Sequence, residues 1–119
     1  MDSLRLATRS AEVIHAKRGE DIVILDLRAF ANFADFFVVS TATSTVHARA
    51  LAEEVERQLA KLGVKPHHIE GSEHGQWILL DYFDVVVHIF LGDVREFYGL
   101  ERLWGDVPQR AVTSQPGRR

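Results

Sequence analysis

The chain has no cysteine among its 119 residues. Zinc ribbons, thiol redox chemistry and disulfide frameworks are thereby excluded, and a reducing compartment, by default the cytoplasm, fits the composition. Long apolar runs are missing too. Residues 22–25 and 85–87 with their flanks fall far short of the roughly 20 residues a membrane-spanning helix needs. A basic excess is also absent: 14 Lys and Arg stand against 17 Asp and Glu, for a net charge of -3. That balance argues against a protein that holds nucleic acid mainly by neutralising phosphates. The first residues mix Asp2, Arg5, Arg9 and Glu12 with small apolar side chains, unlike a signal or transit peptide.

What is present is the ordinary balance of one globular domain, 46% hydrophobic and 26% charged. A chain of this size buries roughly two-thirds of its unfolded surface, enough for one core without metal or disulfide. Leu4, Ala7, Ala11 and Ile14 recur at helical spacing, so the first helix is expected over 3–17, capped by Ser3 and stopped by Gly19. Residues 21–26 and 36–40 read as buried β-branched and aromatic strands. The Ser and Thr run over 40–45 suits a strand-to-helix turn, with Ser44 or Thr45 capping a helix over about 46–62. Leu51, Val55, Leu59 and Leu62 form its apolar stripe, and Glu53 is placed to pair with Arg57. Gly63 and Pro66 end it.

After an extended piece over 66–70, the apolar runs 76–81 and 84–90 form a hairpin, although the turn lacks the favoured Asn-Gly or Asp-Gly pair. A last helix over 94–104 is broken near Gly99. These elements predict an α/β fold, a mixed sheet of about five strands with helices packed on it, as a single domain over 1–106. Residues 107–119, with Pro108, Pro116, Gly117, Arg118 and Arg119, are expected to form a flexible tail.

Six histidines invite a metal reading. Yet the adjacent pair His67 and His68 points to opposite sides of an extended segment, and no helical spacing brings two imidazoles onto one ion. His88 interrupts a run of valines, either as a satisfied half-buried histidine or as a polar contact on the face of Asp84 and Val86. Asp81 and Asp84 flank the hairpin turn, where a divalent ion or a division of acid and base roles competes with plain turn capping. No glycine-rich phosphate cradle or nucleophile with a base accompanies them. Alternation puts Trp77, Leu79 and Asp81 on one face and Ile78 and Leu80 on the other. If Ile78 and Leu80 face the helices, Trp77 and Leu79 lie on the open side, with the composition of a protein-binding hot spot. The competing arrangement covers both sides and makes Trp77 core.

The stretch 76–90 (QWILLDYFDVVVHIF), followed by 95–98 (REFY) and 100–104 (LERLW), resembles the signature of the ribosomal silencing factor family, the Iojap-like proteins. Leu25 and Asp26, residues 34–39 (ADFFVV), and Thr43, Ser44 and Thr45 agree in order and spacing, so the resemblance spans about 4–106. Two positions depart from it: Ala42, where a glycine is usual, and Phe83, where a small residue is common. The resemblance implies a nucleotidyltransferase-like core without catalysis or cofactor, usually as a homodimer. It further implies binding to the L-fourteen protein of the large ribosomal subunit, obstruction of small-subunit joining, and repression of translation when nutrients are short. By the same analogy Trp77, Leu79, Asp81 and Tyr82 fall in the partner surface, oriented by Asp84 and His88. An enzyme using Asp81 and Asp84, or a dimeric scaffold for another assembly factor, are the alternatives.

Overall fold

A computed structural model describes residues 1–112. Helix α1 (Ser3–Ala16) is followed by strands β1 (Glu20–Asp26) and β2 (Phe36–Ala42), helix α2 (Thr45–Ala60) and strand β3 (His68–Glu70). The hairpin β4 (Trp77–Asp81) and β5 (Val85–Leu91), the short helices α3 (Gly92–Tyr98) and α4 (Leu100–Leu103), and strand β6 (Gln109–Val112) complete the order. The strands form one mixed sheet in the order β3-β4-β5-β2-β1-β6, in which β2 and β5 alone run parallel. The expected α/β class holds; the sheet has six strands rather than about five.

The sixth strand corrects the boundary placed at residue 106. Gln109–Val112 pairs antiparallel with β1, Val107 is buried, and the Pro108 carbonyl accepts the Asp26 N–H at 2.9 Å. Three of the four β6 residues are exposed, so the strand carries no apolar alternation; it exists because the free edge of β1 needs hydrogen-bond partners. The rest of the expected tail, 113–119, lies outside the described residues.

Local physics explains the other elements. The carboxylate of Asp2, not Ser3, caps α1 by accepting the Arg5 N–H at 2.8 Å; the Ser3 hydroxyl instead donates to Asp35 Oδ2 at 2.7 Å. Gly19 is required at the exit, where a Cβ would lie 2.2 Å from the Ile14 side chain. Ser44 caps α2 by accepting the His47 N–H at 3.0 Å. On α2, Arg57 pairs with Glu54, three residues earlier, in place of the expected Glu53, four residues earlier.

Helices α1 and α2 cover one face of the sheet, here called the inner face. Ala7, Ala11, Ile14, Leu51, Val55 and Leu59 pack there on Val38, Ile78, Leu80, Val87 and Ile89, all with 1% exposure or less. The other, outer face is covered over β1 and β2 by the loop 27–35 and by α3 and α4, around Leu25, Leu27, Phe37, Val39 and Phe90. Neither α3 nor α4 contributes a buried residue. They are fastened by Arg95, whose guanidinium donates to the Asp21 carbonyl (2.7 Å), Thr41 Oγ1 (2.8 Å) and both carboxylate oxygens of Glu101 (3.0 and 2.8 Å). Those hydrogen bonds hold the Glu101 carboxyl below the usual carboxylate range.

Candidate functional site

Strand pairing fixes which side chains share the outer face, because residues directly opposite one another project to the same side. Trp77 lies opposite Phe90, Leu79 opposite His88, and Asp81 opposite Val86. On the edge strand β3, Glu70 lies opposite Leu79 and His68 opposite Asp81. The outer face over β3, β4 and β5 therefore presents three rows, with Trp77, Leu79 and Val86 half-buried and the exposed His68–Glu70 hydrogen bond (2.6 Å) at the edge. Leu79 joins neither core cluster. Ile78 and Leu80 do face the helices; on the other side Leu79 is left outside both core clusters, whereas Trp77 packs at the margin of the outer cluster, between the two expected arrangements.

Trp77 is held in a definite pose. Its ring stacks on Phe90 (centroids 4.8 Å apart, planes 29° apart) and packs against Tyr98 of α3 at 4.8 Å. Its indole N–H donates to His88 Nδ1 at 3.2 Å. From below, Gly71 makes the approach of the preceding loop to β4 feasible: its φ is +84°, and a Cβ there would sit 1.9 Å from the Trp77 carbonyl oxygen. His88 is 4% exposed, with Phe37 edge-on to its ring at 4.6 Å. Burial lowers its pKa to about 4, so it is neutral at physiological pH.

Asp81 serves the turn, its Oδ1 accepting the Phe83 N–H at 2.8 Å, whereas Asp84 contributes its main-chain carbonyl, which receives the N–H groups of Asp35 (2.7 Å) and Phe36 (3.0 Å) at the start of β2. The Asp84 side chain is exposed. Phe83, between them, adopts the left-handed region (φ 69°) that a small residue would tolerate better, and it stacks on His67 at 4.1 Å. Among the described residues no three His, Asp or Glu side chains converge to hold a metal ion.

Tyr82 does not belong to this surface. Its side chain is 6% exposed and packs with the inner core, where burial and the Glu56 carboxylate raise its pKa and its hydroxyl has no hydrogen-bond partner among the described residues. Alternation carried one residue past Asp81 places it there, on the side of Ile78 and Leu80. Conversely, Tyr98, which packs against the Trp77 ring, and Phe97 and Leu103, elsewhere on α3 and α4, lie outside the expected partner surface, yet they are 52%, 79% and 76% exposed. Their helical spacing resembles that of a core-facing segment.

Comparison with known proteins agrees with this architecture. The family model described as "Ribosomal silencing factor during starvation" matches residues 1–119. The chain is 40% identical to the ribosomal silencing factor of Bacillus subtilis over 92 residues, covering 77% of this chain and 78% of that protein. It is 34% identical to that of Halalkalibacterium halodurans over 108 residues, covering 91% and 92%. A crystal structure of a protein from Chromobacterium violaceum superposes with a TM-score of 0.86 at 33% identity, covering 98% of this chain and 95% of that one.

Proposed function

The chain belongs to the family of ribosomal silencing factors, and from that premise we propose that it represses translation by docking its outer face on the L-fourteen protein of the large ribosomal subunit. A protein seated there blocks the small subunit sterically. The observation that carries the reading is the half-buried Trp77 and Leu79, held rigidly on an open sheet face beside Asp81 and Glu70. A fixed aromatic anchor with an acidic rim suits a basic ribosomal protein: the rim steers the encounter and the ring holds it. A footprint of about 800 Å² on each partner is sufficient for a specific complex. The protein acts in the cytoplasm, as a binder rather than an enzyme, and its exposed Phe97 and Leu103 also suit pairing with a second copy.

The test is co-sedimentation with isolated large and small subunits, with subunit joining followed in the same gradients. Trp77→Ala is expected to weaken large-subunit binding by about 30-fold, the loss of one hot-spot residue, while the protein stays folded. Undiminished binding by the folded variant removes Trp77 from the interface. Failure of the unmodified protein to co-migrate at low salt overturns the reading as a whole.

A further inference from the structure

Residues 85–87 are all valine, and a fourth apolar side chain at 88 would fill the same slot without burying a polar group. His88 instead places two nitrogens in an apolar layer. Nδ1 accepts the Trp77 indole N–H at 3.2 Å, so that nitrogen carries no proton and the neutral ring holds its proton on Nε2. Nε2 is buried and has no hydrogen-bond partner among the described residues. Leaving a buried donor unpaired is unfavourable, so the fold tolerates a cost at Nε2 for the sake of the acceptor at Nδ1.

The beneficiary is Trp77. Phe90 stacks on its ring and Tyr98 packs beside it, both at 4.8 Å, but apolar contacts of this kind do not distinguish the N–H edge of the indole from its other edges. A hydrogen bond to a nitrogen locked inside the sheet layer selects one pose. It also engages the indole's only polar hydrogen. We propose that His88 is a positioning residue that presents the Trp77 indole in one pose on the outer face and, by occupying its N–H, restricts that contact to an apolar group of a protein partner. The inference rests on the partner face proposed above.

Trp77 and Trp104 are the two tryptophans of the chain, so a Trp104→Phe background leaves Trp77 as the sole indole fluorophore. In that background, His88→Leu removes the acceptor at similar volume, and His88→Asn restores an acceptor oxygen near the Nδ1 position. The leucine variant is expected to raise acrylamide quenching of Trp77 by about twofold and to weaken large-subunit affinity by about tenfold, the scale of one neutral hydrogen bond. The asparagine variant is expected to recover affinity to within about threefold of the parent. With Trp77→Phe as the starting point, His88→Leu adds no further loss, because the residue acts through the indole N–H.

Parental quenching and affinity in a folded His88→Leu variant overturn the proposal, as does an equal loss in the Trp77→Phe background. Should the leucine variant fail to fold, Trp77→Phe removes the same hydrogen bond from the donor side. Parental affinity there overturns the proposal, and a loss of about tenfold supports it. If Trp77→Ala binds the large subunit normally, the partner face itself is wrong, and the quenching comparison still decides whether His88 sets the indole pose.

Discussion

The two faces of the sheet are built from different materials. The inner face is closed by two long helices over almost entirely aliphatic side chains, whereas the outer face is closed by a loop and two short helices over a mixed layer in which Phe37, Phe90, Trp77 and Trp104 join Leu25, Leu27 and Val39. Aliphatic layers interdigitate to full density and provide stability. Aromatic rings set edge-on or stacked provide a stiff surface whose last layer need not be complete. Stability is thus concentrated on one side of the sheet, and the proposed partner face lies on the other.

Adjacent residues of β4 test that division most sharply. Leu80 is fully buried on the inner face and Leu79 half-buried on the outer. Leu80→Ala is expected to destabilise the fold by about 3 kcal/mol in urea unfolding, the usual cost of a core truncation, and Leu79→Ala by less than about 1 kcal/mol. Large-subunit binding is expected to reverse the order among folded variants. Equal destabilisation by the two substitutions breaks the comparison.

Acid titration probes the one buried histidine of the outer face. The folded protein holds His88 neutral down to about pH 4, whereas the unfolded chain protonates it near pH 6.5. The unfolded state therefore binds the additional proton first, and this residue's contribution is constant above pH 6.5 and lost as pH falls towards 4. The total is about 3 kcal/mol, read as the difference in unfolding free energy between the unmodified protein and His88→Asn across that window. No difference in slope means that His88 is hydrated rather than buried.

Two smaller effects follow. Arg95→Ala removes the fastening of α3 and α4 and leaves the part-buried Glu101 carboxylate unpaired; a loss of about 1–2 kcal/mol is expected, with faster amide exchange confined to residues 92–104. Exchange that rises equally in α1 and α2 would show that the two faces do not loosen separately. Phe83→Gly relieves a left-handed phenylalanine but loses its stack on His67. A net gain of about 0.5 kcal/mol in thermal unfolding is expected.

The helices and central strands were legible because their apolar residues recur at 3.6 or alternate at 2, and the assignment of Trp77 and Leu79 to one face followed from alternation alone. The resemblance puts Tyr82 in the partner surface, but that same alternation puts it on the inner side, where it is buried. Strand β6 was illegible for a different reason: Gln109, Arg110 and Ala111 bury nothing, and their strand conformation is imposed by the unpaired edge of β1. Of the site, Trp77, Leu79, Asp81 and His88 were identifiable as residues, but the hydrogen bond that joins Trp77 to His88 links residues 11 positions apart on neighbouring strands. Phe97 and Tyr98 stand in a stretch richer in aromatics than the core of so small a domain needs, which is a signal of exposure; the exposed Leu103 carries none.

By itself, the sequence determined the family, the α/β class, most of the inner core and the shared face of Trp77, Leu79 and Asp81, because periodicity and composition are local properties of the chain. Tertiary structure decided which of those residues meet, that β1 gains a sixth strand as its neighbour, and that His88 lies under Trp77. Strand order and register are set by the closing of hydrogen bonds and packing between distant segments, and no local pattern encodes that closure.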